Sequence, residues 1–192
     1  MPRPPPDHIL FYSKSAEKLP QSLSTFTRVD PPLTYKGRKF ESIEHAFQAA
    51  KYLFTSPPRP DIADEFAVGG AFGGKHPHHA KREGGKAAMK RRGVVLDVTE
   101  WNAHAHDIMV QLVRKRAAVD SFYKSLLKFL AKHKVHLYHF ERAGEKSYWG
   151  GFFPKGGPQT AASWKGQNTL GRILMAEGAR LNAKKRSKKN YK

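Results

Sequence analysis

"SIEHAFQAAKY", residues 42–52, is the stretch on which this chain turns. Ile43, Ala46, Phe47 and Ala50, continued by Phe54, recur at helical spacing. Ser42 is a natural N-cap. The spacing predicts an amphipathic helix with Glu44, Gln48 and Lys51 on a polar strip beside the apolar stripe. Glu44 falls in the first turn, where free N–H groups and the helix dipole favour an anion, so an ionised carboxylate is expected there. Periodicity leaves open whether that carboxylate is a solvated helix-start residue or the working group of a site.

The flanks sharpen the boundaries. Upstream, "LTYKGRKFES" (33–42) has apolar-aromatic runs on either side of Lys36-Gly37 and predicts a hairpin. Downstream, "TSPPRP" (55–60) stops the helix, because proline removes donors and clashes with the preceding turn. "HILFYSK" (8–14) predicts a strand, and "VGGAFGGKHPHH" (68–79) a Gly-rich loop leading into a basic helical run, "AKREGGKAAMKRR" (80–92). Asp97 and Glu100 have capping-box spacing, and Trp101, Ala105, Ile108, Met109, Leu112 and Val113 form the apolar face of the helix they open. A further helix starts near Asp120 and carries Phe122, Leu126, Leu127 and Leu130. "VHLYHF" (135–140) predicts a strand, "WGGFFPKGGPQTAASWKGQN" (149–168) a long loop, and Thr169–Leu181 a last helix with Leu170, Ile173, Leu174 and Leu181 inward. The sum is an α+β chain, a single compact, mainly helical domain over residues 8–182 with a few short strands. A Pro-rich arm (1–7) precedes it and a basic tail (183–192) follows.

At 192 residues and 39% hydrophobic content the chain can bury one core. It has no Cys, which excludes disulfides, thiolate metal sites and cysteine nucleophiles. No apolar run approaches the roughly 20 residues of a membrane span, and "MPRPPPDHIL" has no apolar core of a secretory signal. An intracellular location is therefore expected, cytoplasmic or, in a eukaryote with the tail as address, nuclear. Charge is the strongest bulk signal: 35 Lys+Arg against 16 Asp+Glu, formally +19. "KKRSKKNYK" (184–192) holds six of those positives, so +19 less 6 still leaves +13 on the rest. Such a field favours anionic partners, a phosphorylated substrate or nucleic acid; with no apolar span, no membrane partner is expected.

Several patterns invite chemistry and fall short of it. "GGAFGGK" (69–75) has the outline of a phosphate-cradling loop, but His76 stands where Ser or Thr would hold magnesium. His76, His78 and His79 sit among lysines and arginines that repel a cation, and His104 and His106 are two apart on a helix and diverge. No metal or cofactor is expected. "KSYWGGFFPK" (146–155) and "SWKGQN" (163–168) interleave aromatic and basic residues, which suits base stacking or, equally, a core filled by Trp149 and Phe153.

Taken in order, "LSTF" (23–26), "YKGRKFESIEHAFQAAKY" (35–52), Trp101, "YWGG" (148–151) and "GQNTLGRILM" (166–175) resemble the NADAR, or YbiA-like, family over about residues 8–182. The resemblance implies a compact, mostly helical α+β fold and cleavage of N-glycosidic bonds. The substrates it implies are ribosylamine phosphates of riboflavin synthesis or ADP-ribose attached to guanine. It assigns Glu44 as the active-site acid that steadies an oxocarbenium-like state and activates water. Glu145 follows as the second acid, with Glu141 in reserve. Phe26, Gln48, Lys51, Trp101, Tyr148, Trp149, Gly150 and Asn168 become substrate-binding positions, Asn168 and the N–H groups beside it facing phosphate. The chain departs from the family pattern at Thr25, where the motif has Asn, and at Lys146, where an Asp is usual. A non-catalytic module that binds ADP-ribose or nucleic acid is the alternative.

Overall fold

The computed structural model describes residues 6–189, so most of the Pro-rich arm and the end of the basic tail lie outside the described residues. In chain order the elements are β1 (His8–Phe11), α1 (Lys18–Ser22), β2 (Leu33–Tyr35), β3 (Arg38–Phe40), α2 (Ile43–Lys51), α3 (Pro60–Asp64), α4 (Pro77–Glu83), α5 (Lys86–Arg91), α6 (Val98–Val119), α7 (Ser121–Lys132), β4 (His136–His139) and α8 (Thr169–Lys189). This is the mainly helical α+β composition the sequence predicts. Contacts divide the chain into two compact units, Thr25–Ser121 and the remainder on either side of it.

The Thr25–Ser121 unit is built around α2. The β2–β3 hairpin, in register Leu33↔Phe40 to Tyr35↔Arg38, turns at Lys36-Gly37, both with positive φ, and delivers the chain to Ser42. The long helix α6 packs on both β2 and α2, and α3 and α4 close over α2 from elsewhere in the unit. Asp97 caps α6, its Oδ1 accepting from the Glu100 N–H at 3.0 Å, and the six apolar residues expected on its face are all buried. Two features depart from the sequence pattern. The basic run 80–92 is two helices, because the chain breaks at Gly84-Gly85. And α2 is no surface helix: every residue from Ile43 to Ala50 is buried, Glu44 and Gln48 of the polar strip included, with Lys51 half-buried.

The other unit pairs β1 and β4 in parallel, from His8↔His136 to Phe11↔His139. Helix α8 lies against β4 and α1 against β1. On α7, Leu126, Leu127 and Leu130 are buried as expected, but Phe122 is 62% exposed and Tyr123 takes the inward place. Tyr123 is spaced three, four and seven residues from those leucines, whereas Phe122 lies about 100° away round the helix. The Gly-rich loop after β4 is organised by bridges Phe140↔Gly151 and Phe152↔Lys165. Helix α8 continues beyond the predicted end at Leu181 to Lys189, and Leu181 is half-buried.

Candidate active site

The N-terminus of α2 is held by a closed set of hydrogen bonds. Ser42 Oγ accepts from the His45 N–H at 3.2 Å and meets His45 Nδ1 at 2.8 Å, while His45 Nε2 lies 3.1 Å from the Phe72 carbonyl. The carbonyl can only accept, so Nε2 carries the proton and Nδ1 accepts from the serine hydroxyl. His45 is fully buried. Burial pushes its pKa below the ordinary histidine value, against the opposing hydrogen bond to Phe72. It is a neutral lock on the helix start, adjacent in the chain to Glu44.

Glu44 is 6% exposed. Its backbone N–H donates to the Thr25 carbonyl at 3.0 Å. Its Oε2 accepts from Thr25 Oγ1 at 3.0 Å and its Oε1 from Gln48 Nε2 at 2.8 Å. Hydrogen bonds to a charged group are worth about 1.5–3 kcal/mol each, so the carboxylate is fixed in position. It retains acceptor capacity, because a carboxylate has about four acceptor sites. Gln48 is 4% exposed, and its Oε1 has no hydrogen-bond partner among the described residues. A buried acceptor without a donor is costly, and this one sits on the amide that orients Glu44.

Lys51 completes the strip, one turn beyond Gln48. Its Nζ donates to the Gly84 carbonyl at 3.2 Å and lies 5.9 Å from the centre of the Trp101 ring. Burial pushes its pKa below the usual lysine range; Glu44 opposes that shift and Lys81 adds to it. Trp101 is buried, with Phe47 and Phe54 edge-on at 5.0 and 5.7 Å. It is a wall of the unit with Lys51 over its face. Phe26, half-buried, has Lys81 Nζ 5.8 Å over its ring. Gly84 is forced: a Cβ there would fall 2.2 Å from Gln48 Oε1 and 2.7 Å from Gln48 Cβ. Of the expected site residues, Phe26, Glu44, Gln48, Lys51 and Trp101 thus belong to this unit. Sequence reasoning missed Thr25 and Gly84. Thr25 was visible only as a departure from the motif, yet its hydroxyl supplies a donor where the family Asn has an amide.

The other five belong to the second unit. Glu145 stands in a short turn, its side chain 67% exposed and its Oε1 4.0 Å from Lys165 Nζ. Such an exposed pair contributes little. Glu141 is better held, its carboxylate accepting from Ser147 Oγ, which in turn accepts from the Gly150 N–H at 3.0 Å. Tyr148 is exposed and meets Trp149 edge-on at 4.9 Å. Gly150 lies so close to β4 that a Cβ would approach the His139 carbonyl to 2.3 Å. Asn168 does not present its amide to a ligand. Its Oδ1 accepts from the His139 N–H at 3.0 Å and its Nδ2 donates to the Leu137 carbonyl at 2.8 Å, clamping α8 to β4. The N–H groups of Gln167, Asn168, Thr169 and Leu170 donate to the carbonyls of Ser147, Gly150, Tyr148 and Trp149. The phosphate role expected for this helix start is therefore corrected: its donors hold the "SYWG" backbone instead.

Among the described residues, no three His, Asp or Glu side chains converge as metal ligands would, and no helix is long and apolar enough to cross a membrane. A family model described as the NADAR domain matches residues 10–182. An NMR structure of the E. coli protein YbiA is similar with a TM-score of 0.64 and 21% identity, covering 93% of this chain and 90% of that one. At that identity the likeness is one of fold. No curated protein matches the sequence.

Proposed function

The chain belongs to the NADAR domain family, and from that premise we propose that it is an N-glycosidase, hydrolysing the bond between an anomeric ribose carbon and a nitrogen. The substrate class is a ribose-phosphate or ADP-ribose conjugate: ADP-ribose on a guanine base, or a phosphorylated ribosylamine. The observation that carries this is Glu44, a buried carboxylate held on both oxygens by Thr25 and Gln48 beside a lysine of lowered pKa.

As the C1′–N bond breaks, its electron pair goes to the nitrogen and positive charge builds on the anomeric carbon. A fixed carboxylate stabilises that charge without having to reorganise. Glu44 takes a proton from the attacking water, whose oxygen becomes the new anomeric hydroxyl. The departing nitrogen needs a proton, and Lys51 supplies it: a lysine pushed down in pKa is a better donor than an ordinary one. The unpaired Gln48 Oε1 accepts from a substrate hydroxyl or from the water. The test is to incubate the protein with ADP-ribosylated guanine oligonucleotide and with phosphorylated ribosylamines in H₂¹⁸O. Label at the anomeric hydroxyl of the released sugar, gained faster than the free sugar exchanges that oxygen with solvent, supports hydrolysis, and no sugar release from any member of the panel ends the proposal.

A second reading is a module of the same fold that binds ADP-ribose or nucleic acid without turnover. What favours it is Lys146 in place of the usual Asp, with the neighbouring Glu145 left in solvent. ADP-ribose binding without turnover across that panel selects it.

A further inference from the structure

Residues 75–92 carry Lys75, Lys81, Arg82, Lys86, Lys90, Arg91 and Arg92 against the single acid Glu83. Glu83 is buried and pairs with Arg82 and Arg91 at 3.0 and 3.3 Å, and Arg92 is held by Glu65 at 2.8 Å. The four lysines are exposed and have no ion-pair partner among the described residues. Lys86 and Lys90 are one turn apart on α5, where like charges repel by a few tenths of a kcal/mol. A solvated helix relieves this by placing acids between its bases, and α5 has none. This edge is also continuous with the candidate site. Helix α4 packs on α2, Lys81 shares the field at Lys51, and the Gly84 carbonyl between α4 and α5 holds Lys51 Nζ.

We propose that the exposed lysines of the α4–α5 edge, Lys75, Lys81, Lys86 and Lys90, are a docking surface for the phosphate backbone of a polynucleotide. The site beside Glu44 then acts on a base that arrives within a nucleic-acid strand. The inference deepens the glycosidase assignment and rests on it for the use of that site; the docking itself is measured separately from any turnover. Each lysine that neutralises a phosphate releases a counterion, so affinity falls with salt in proportion to the number of contacts.

The probe is a fluorescein-labelled, unmodified single-stranded oligonucleotide, which has no scissile bond and so reports binding whether or not Glu44 catalyses. Three full-length proteins are compared over a salt series: wild type, Lys75→Ala/Lys86→Ala/Lys90→Ala, and a charge-matched control, Lys115→Ala/Lys124→Ala/Lys132→Ala. All six lysines are exposed, so folding is preserved and is checked by thermal melting. The expected result is a roughly tenfold or greater loss for the first triple, with a log–log salt slope shallower by about 2–3, and a loss under about threefold for the control. Equal losses in the two triples overturn the proposal, since binding would then follow total charge; so does no loss in the first.

Discussion

Gly84→Ala is the substitution whose outcome the structure fixes most tightly. Gly84 has φ −87° and ψ 6°, a conformation open to any residue. Elsewhere in the chain an unhindered Gly→Ala change stabilises by about 0.4–1 kcal/mol, because it restricts the unfolded state. Here the new Cβ would lie 2.2 Å from Gln48 Oε1, 2.7 Å from Gln48 Cβ and 2.9 Å from Gln48 Cδ. Both residues are buried, and the Cβ contact cannot be relieved by rotating the Gln48 side chain. Overpacking of this kind costs about 1–3 kcal/mol. For a chain of this length that is a fall in Tm of about 2–4 °C per kcal/mol. Displacing the amide also removes one of the two hydrogen bonds to Glu44. The assay is urea unfolding of wild type, Gly84→Ala, Gln48→Ala and the double variant. In the Gln48→Ala background two of the three close contacts vanish, so the Gly84→Ala penalty shrinks, a coupling of at least about 0.5 kcal/mol. Stabilisation by Gly84→Ala, or the same penalty in both backgrounds, refutes the packing of Gly84 against Gln48.

Three further outcomes are expected. His45 is buried neutral with a lowered pKa, so its contribution is complete above the unfolded value of about 6.5 and is lost as pH falls toward the folded one. Unfolding free energy from pH 7.5 to 5.5 therefore drops more in wild type than in His45→Gln, and equal drops contradict this. Lys51→Met removes the alkaline limb of the kcat/KM profile, which in wild type lies below the usual lysine range; an unchanged limb excludes Lys51 as the proton donor. Asn168→Asp replaces the donor to the Leu137 carbonyl with a carboxylate oxygen and costs about 1–3 kcal/mol in urea unfolding. A stability within error of wild type contradicts the clamp.

The elements were legible where a single periodicity or cap decides them. Ser42 and Asp97 cap the helices they precede, and the α6 face is buried as its spacing requires. What the pattern could not show is depth. A polar strip on a helix looks the same whether water or another helix lies over it, and α4 and α6 over α2 turn Glu44 and Gln48 from surface residues into buried ones. Nor does spacing say which partner a polar group takes. Asn168 opens a helix and so invites an anion, yet a neighbouring strand lies within reach and its backbone groups bind the amide first. Gly84 carried no local signal and Thr25 only a departure from the motif, because their roles arise from residues 36 and 19 positions away in the chain.

The central claim is that Glu44 is the catalytic carboxylate. Glu44→Gln keeps the side chain's shape and an oxygen to accept from Thr25 or Gln48, so the fold is retained and is checked by melting. Single-turnover release of sugar from the best substrate of the panel is then measured for both proteins. A general base of this kind contributes about 10²–10⁴-fold, so Glu44→Gln is expected to be slower by at least about a hundredfold with binding preserved. Release by the variant at the wild-type rate contradicts the account.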